Sequence, residues 1–317
     1  MAITKWVADE MPDLNGKTAI VTGANSGLGY EITKALAAKG AHVVMACRSM
    51  DRARDAESRI ERTVDDPSLS IMELDLADLS SVREFASAFE SEYDRLDILV
   101  NNAGVSMPPY STTADGFELQ IGVNFLGHFA LTGHLLDTIT ATSGARIVSL
   151  SSGGAHLGSI DLGSFRGDEQ SYSRWSAYTQ SKLAMSQFAV ELQRRFNRDG
   201  NDTKSFAAHP GWSDTNLPRH SPVAIPDFVL NRVSMPAEQG ALPTLYAATD
   251  PEAIGGAHYG PDGFLEMSGY PELATLPSGV KDRQTAKRLW TAAEELTGVR
   301  YPSENADTTT VSEPAEA

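Results

Sequence analysis

The chain has 317 residues, 41% hydrophobic and 21% charged, which suits one large α/β domain or two small ones and excludes a chain disordered throughout. Its net charge of −16 argues against nucleic acid as the main partner, although a local basic patch could still hold a phosphorylated small molecule. Cys47, the single cysteine, excludes an internal disulfide and a thiolate metal cluster, and the seven scattered histidines indicate no metal site.

The first thirty residues carry Asp9, Glu10, Pro12 and Asp13 instead of a basic-then-apolar signal. No apolar run approaches the roughly 18 residues that span a bilayer. The expectation is a soluble, cytoplasmic protein without a membrane span.

Thr18–Thr22 reads as a buried strand, and Leu28 to Lys39 as a helix with Leu28, Ile32, Ala35 and Leu36 on one face. Strand-like runs return at His42–Ala46, Leu69–Leu74, Leu96–Val100, Arg146–Leu150 and Thr203–Ala208, with helical segments such as Ser80–Glu92 and Trp175–Arg195 between them. This alternation predicts an α/β fold with a doubly wound parallel sheet of the Rossmann kind. No linker divides the chain, so residues 1–301 read as a single domain. Residues 156–175 form an insertion rich in Gly, Ser and acids, and 216–236 is a Pro-punctuated stretch carrying Leu217, Val223, Ile225, Phe228 and Leu230. The tail 302–317 is polar and acidic and reads as disordered.

Directly after the first strand, Gly23-Ala24-Asn25-Ser26-Gly27-Leu28-Gly29 runs into the first helix. Glycines let the backbone approach a pyrophosphate, and the helix N-terminus attracts its charge. The bland alternative is a tight turn with close helix–strand packing. At the end of the second strand, where an NAD-specific site wants an acid, the chain has Arg48-Ser49. A guanidinium fork suits a 2′-phosphate, so the pair predicts NADP(H). The competing reading is a surface arginine opening the next helix, with Ser49 as its N-cap. Asp75-Leu76 after the third strand could meet an adenine ring, and Asn102-Ala103-Gly104 after the fourth could approach the cofactor closely; an Asn-rich strand end is equally often a turn.

Tyr178 and Lys182 lie four residues apart early in a predicted helix, so phenol and ammonium share a face. A fixed ammonium and a cationic nicotinamide would each favour phenolate, making a base of a group whose free pKa is about 10. The pair alone could be an exposed helix face. The strand Arg146–Leu150 runs into Ser151-Ser152, where a hydroxyl could bind a substrate oxygen or simply close a strand-end turn. Asn124 lies inside an otherwise apolar helix, as either a core hydrogen-bonding post or the end of a proton path.

Taken in order, TGANSGLG, the DL after the third strand, NNAG, Asn124, the serine strand, YTQSK and His209-Pro210-Gly211 with Thr215 beyond resemble the short-chain dehydrogenase/reductase family over about residues 14–260. The resemblance implies that Tyr178 is the acid/base, that Lys182 binds the nicotinamide ribose and lowers the tyrosine pKa, that Ser152 orients the substrate oxygen with Ser151 as fallback, and that Asn124 completes a proton relay. It also implies that Pro210, Gly211 and Thr215 embrace the nicotinamide carboxamide, that 216–236 is a substrate lid, and that the chain forms a homodimer or homotetramer. Finer details (ANSGLG, ACR, NFLGHF, WSAYTQSK) are similar to the retinol-dehydrogenase and protochlorophyllide-reductase-like branch, which handles apolar alcohols and aldehydes with NADP(H). The 26-residue separation of Ser152 and Tyr178 fits that branch.

The expected activity is therefore NADP(H)-dependent interconversion of an apolar alcohol and its aldehyde or ketone. The alternative is an NADP(H)-binding sensor on the same fold without turnover, which would not need the Ser–Tyr–Lys set. A hydrolase would want G-x-S-x-G and a zincin H-E-x-x-H, and neither is present. His156, Trp175 and Trp212 could line a pocket or be ordinary packing.

Overall fold

Apolar β-branched runs buried on both faces pair side by side, since a parallel ladder satisfies their backbone groups while helices cover them. In this computed structural model, which describes residues 5–211 and 235–302, eight strands form one sheet. They are β1 (Thr18–Thr22), β2 (His42–Cys47), β3 (Leu69–Glu73), β4 (Ile98–Asn101), β5 (Arg146–Leu150), β6 (Lys204–Ala208), β7 (His258–Pro261) and β8 (Pro271–Leu273). The order is β3-β2-β1-β4-β5-β6-β7-β8, with every neighbouring pair parallel except β7 and β8. The order reverses between β1 and β4, the switch point where doubly wound sheets open a crevice beyond their carboxyl ends.

The helices are α1 (Gly27–Ala38), α2 (Met50–Glu61), α3 (Leu79–Glu92), α4 (Leu119–Ile121), α5 (Gly127–His134), α6 (Leu136–Ala141), α7 (Arg174–Arg198), α8 (Ala237–Gly240), α9 (Leu242–Thr249) and α10 (Arg283–Thr297). Successive strand residues alternate between the two faces. Val21, Met45, Val100 and Val148 pack with Ile32, Leu36, Ile60 and Leu245 of α1, α2 and α9. Ile20, Val44, Leu99 and Ile147 pack with Phe85, Phe129, Phe188 and Trp290 of α3, α5, α7 and α10. The doubly wound architecture expected from the alternation is what forms, and strand boundaries shift by two residues at most.

Several elements depart from the expectation. Asn124 does not lie in a regular α-helix but in a π-turn, Gly122–Leu126, between α4 and α5. Ser49 stands at the N-cap of α2, yet its side chain makes no capping hydrogen bond. The insertion 156–175 docks on the first half of α7 through two 3₁₀ turns, Gly153–Leu157 and Leu162–Arg166. Gln180 Oε1 accepts from Asp161 N at 2.6 Å, Gln180 Nε2 donates to Ser164 Oγ at 2.8 Å, and Phe165 is buried beside Phe125. Of the expected lid 216–236, all but the last two residues lie outside the described residues, as do Trp212, Thr215 and the tail beyond 302.

The C-terminal helix α10 was not expected from the sequence. It buries Ala286, Leu289, Trp290 and Ala293 against α5 and α7. The Trp290 ring lies 5.2 Å from Phe129, 5.7 Å from Phe188 and 4.7 Å from Tyr301, with the Arg195 guanidinium over its face at 3.8 Å. Trp290→Ala should therefore lower unfolding free energy by about 3–5 kcal/mol. Chemical denaturation reads this directly; a loss below about 1 kcal/mol would mean the cluster adds little. No helix among the described residues is long and apolar enough to cross a membrane.

Candidate active site

The carboxyl ends of β1, β2, β4, β5 and β6 bring five turns to one edge of the sheet. The first is the glycine turn. A Cβ on Gly29 would collide with the Gly23 carbonyl and crowd Asn102 Nδ2, so only glycine allows this approach of α1 to the turn. Ser26, at the N-cap of α1, makes no side-chain capping bond, which leaves the first-turn amides of a twelve-residue helix open to an anion. Asn25 and Leu28 are partly exposed and Gly27 is exposed at the same turn. Beneath it Cys47 is buried and its thiol pushed up to about 11, against opposing hydrogen bonds from the Ala24 and Asn25 backbone. That thiol is an inert packing group.

Arg48 leaves the end of β2 exposed, without an ion-pair or hydrogen-bond partner among the described residues, and Ser49 follows it. Asp75, Leu76 and the Asn102-Ala103-Gly104 turn are more structural than the sequence suggests. Asp75 Oδ1 accepts from Ala77 N at 2.9 Å, and Leu76 is buried against Gly127 at the start of α5. Thr22 Oγ1 accepts from both Asn102 N and Ala103 N at 2.9 Å, and Asn102 Nδ2 donates to Thr22 O at 2.7 Å. β1 and β4 are thus laced together at the switch point, and Gly104 is left exposed beside it.

The catalytic candidates converge. Lys182 and Tyr178 project from one face of α7, both buried. Ser152 Oγ and the Tyr178 ring stand side by side, each 3.6 Å from the position of a Cβ on Gly154, and Ser152 Oγ accepts from Gly154 N at 3.2 Å. Ser151 points the other way, donating to Lys182 O at 3.0 Å and pairing with Ser186 Oγ at 2.7 Å inside α7. The two serines are therefore separated by direction: Ser152 faces the phenol and Ser151 anchors β5 to the helix.

Lys182 Nζ donates to one acceptor among the described residues, Leu150 O at 3.1 Å. A buried ammonium carries three donors, so two remain for a ligand. Burial lowers Lys182 to about 8. Burial also pushes the Tyr178 phenol above its usual value, opposed by the neighbouring Ser152 hydroxyl. In the chain by itself the phenol thus shifts opposite to the lowering expected from its lysine, because desolvation outweighs the Ser152 hydroxyl. A Cβ added at Gly104 would sit 3.1 Å from Asn124 Oδ1 and 3.5 Å from Lys182 Nζ, which puts the third turn against both groups.

Asn124 is a fully engaged post. Its Nδ2 donates to Val105 O at 3.0 Å and Ser181 Oγ at 2.9 Å, while its Oδ1 accepts from Val105 N at 2.8 Å. Its backbone carbonyl accepts from His128 Nδ1 at 3.1 Å, and the other ring nitrogen meets Thr22 Oγ1 at 2.9 Å. His128 is fully buried and lowered to about 4, so it stays neutral. His128, Ser181 and Thr22 are site residues that the sequence reading gave no role. Their sequence signal is polar identity in apolar runs, which implies buried hydrogen-bond partners.

His209, Pro210 and Gly211 follow β6 at the same edge, with His209 buried. His156 is exposed and Trp175 is 40% exposed at the rim. A separate cleft of about 470 Å³, lined by Arg194, Arg195, Arg198, Arg283 and Lys287, lies between α7 and α10 and holds none of the candidate site residues.

The family model described as short chain dehydrogenase matches residues 17–222. Retinol dehydrogenase 11 of Mus musculus is 40% identical over 300 residues, covering 94% of this chain and 91% of the relative. Polyprenol dehydrogenase of Mus musculus is 38% identical over 297 residues, covering 91% of this chain and 86% of the relative. The crystal structure of an uncharacterized protein from Mycobacterium Paratuberculosis superposes with a TM-score of 0.79 at 39% identity, covering 95% of this chain and all of that one.

Proposed function

The chain belongs to the short-chain dehydrogenase family, in its retinol-dehydrogenase-like branch, and from that premise we propose that it interconverts an apolar alcohol and its carbonyl compound with NADP(H). The observation that carries this reading is the meeting of the Ser152 hydroxyl and the Tyr178 phenol beside the buried Lys182 ammonium, which donates to Leu150 O. When bound, the nicotinamide gives or takes the hydride. The residues that would hold the cofactor are the open amides at Asn25–Gly29, Arg48 and Ser49 for a 2′-phosphate, Asn102–Gly104, Lys182 for ribose hydroxyls, and Pro210–Gly211, with Asp75 and Leu76 near the adenine end. Thr215 completes this set from outside the described residues.

In the reducing direction Tyr178 Oη donates its proton to the carbonyl oxygen as that carbon becomes the alcohol carbon. In the oxidising direction the phenolate oxygen takes the alcohol proton. Ser152 Oγ hydrogen-bonds the same substrate oxygen and fixes it against Tyr178. Asn124 holds Ser181, and through it the first turns of α7, to the Val105 backbone. Its place in a proton relay is part of the proposal, with the buried His128–Thr22 pair as neighbours.

The relatives named for retinol and polyprenol support an apolar isoprenoid alcohol or aldehyde as the substrate class. A homodimer or homotetramer would need surface other than the face of α5 and α7 that α10 covers.

Purified protein should consume NADPH with retinal or a short polyprenal and produce the alcohol, in preference to small polar aldehydes. Tight NADPH binding with no turnover on any isoprenoid, ketone or quinone would favour the sensor alternative.

A further inference from the structure

The long connection between β7 and β8 carries a feature that the catalytic set does not use. Leu265 and Glu266 both adopt left-handed backbone conformations, with φ of 51° and 55°. Side chains rarely accept that region, so surrounding contacts must hold them there. The contacts are on Glu266. Its Oε1 accepts from Thr275 N at 2.8 Å and its Oε2 pairs with His209 Nε2 at 2.9 Å. Phe264 and Leu265, by contrast, face outward.

His209 is 1% exposed, and its ring packs over Gly260, where a Cβ would collide with Nε2. Its Nδ1 accepts a hydrogen bond from Gly211 N at 3.3 Å. That bond needs a lone pair on Nδ1, so the ring proton sits on Nε2, where the Glu266 carboxylate receives it. Hydrogen-bonding from His209 holds the Glu266 carboxyl down to about 2, so it is charged at every working pH. Gly211 has φ of 66°, and a Cβ there would press on Met267 O and Pro261. The turn is therefore gripped twice by the same connection, once through the ring and once through backbone contact.

We propose that Glu266 and His209 are a positioning pair that locks the Pro210–Gly211 turn by fixing the tautomer of the imidazole, and so sets the surface offered to the nicotinamide end of the cofactor. The pair rests on the cofactor reading given under Proposed function. Without the carboxylate the ring proton can move to Nδ1, which then faces the Gly211 N–H donor to donor. The turn shifts away and the cofactor loses its seat.

Glu266→Ala and Glu266→Gln test this, because the Gln amide oxygen can still accept from Nε2–H, at the expense of the Thr275 N–H that the second carboxylate oxygen accepts. Ring-nitrogen NMR of the cofactor-free protein should report the Nε2–H tautomer for His209 in the parent and Glu266→Gln, and Nδ1–H character in Glu266→Ala. NADPH titration should show Kd, and with it KM for NADPH, raised about tenfold in Glu266→Ala. In that variant kcat should stay within about twofold, and Glu266→Gln should recover most of the lost affinity. An unchanged tautomer and unchanged Kd in Glu266→Ala would overturn the pair. So would a fall in kcat and melting temperature with KM unchanged, which is what a merely structural role gives. The tautomer readout needs no cofactor, so a parent that bound no NADPH would sink the functional reading while the NMR still decided the pair.

Discussion

Tyr178→Phe is expected to lower kcat by about 10²–10⁴-fold while leaving the Kd for NADPH within about twofold. The substitution removes one oxygen and keeps the ring that fills the buried space at the start of α7. It deletes the hydroxyl that meets Ser152 and that would exchange a proton with the substrate oxygen. Among the described residues, neither His128 nor Lys182 replaces it. His128 is neutral, buried and engaged at both nitrogens. Lys182 is turned to Leu150 O. In the cofactor-free chain, burial pushes the phenol up and keeps it protonated at neutral pH, which suits carbonyl reduction. Steady-state rates with the parent and mutant side by side check this, and parental turnover by the mutant would remove Tyr178 from the chemistry.

Arg48→Asp should lower the ratio of kcat/KM for NADPH over NADH by about a hundredfold or more. A charge-assisted hydrogen bond to phosphate contributes about 1.5–3 kcal/mol, and a carboxylate in its place adds repulsion. Each 1.4 kcal/mol is about tenfold. The guanidinium is exposed and makes no ion pair or hydrogen bond with the described residues, so its removal should leave stability near the parental value. Competing kinetics with both cofactors is the measurement, and an unchanged ratio would return Arg48 to the role of a surface residue.

The alternation of buried runs with amphipathic segments made the sheet legible from β1 to β6, because parallel strands are apolar on both faces and their crossover helices are long. The edge was not legible. β7 is four residues, His258–Pro261, and β8 is three, Pro271–Leu273, both punctuated by Pro, and the antiparallel turn between them is held by non-local contacts. Helix α10 left a readable trace in Ala286, Leu289, Trp290 and Ala293 at helical spacing, yet its Arg-, Lys- and Glu-rich remainder resembles the polar tail that follows. At the site, residue types and order pointed to Ser152, Tyr178 and Lys182. What the sequence could not give was direction. Only packing turns Ser151 toward Ser186 and Ser152 toward the phenol, and only the fold brings Glu266 to His209 across 57 residues.

Hydride transfer between NADP(H) and an apolar carbonyl compound is followed by isotope label. Parent protein given NADPH deuterated at the nicotinamide C4 and retinal or a polyprenal should yield an alcohol carrying one deuterium on its carbinol carbon, detected by mass spectrometry. Tyr178→Phe should bind the labelled cofactor and yield almost none. Alcohol formed without deuterium from cofactor labelled on either face, or deuterium transfer undiminished in Tyr178→Phe, would contradict the account.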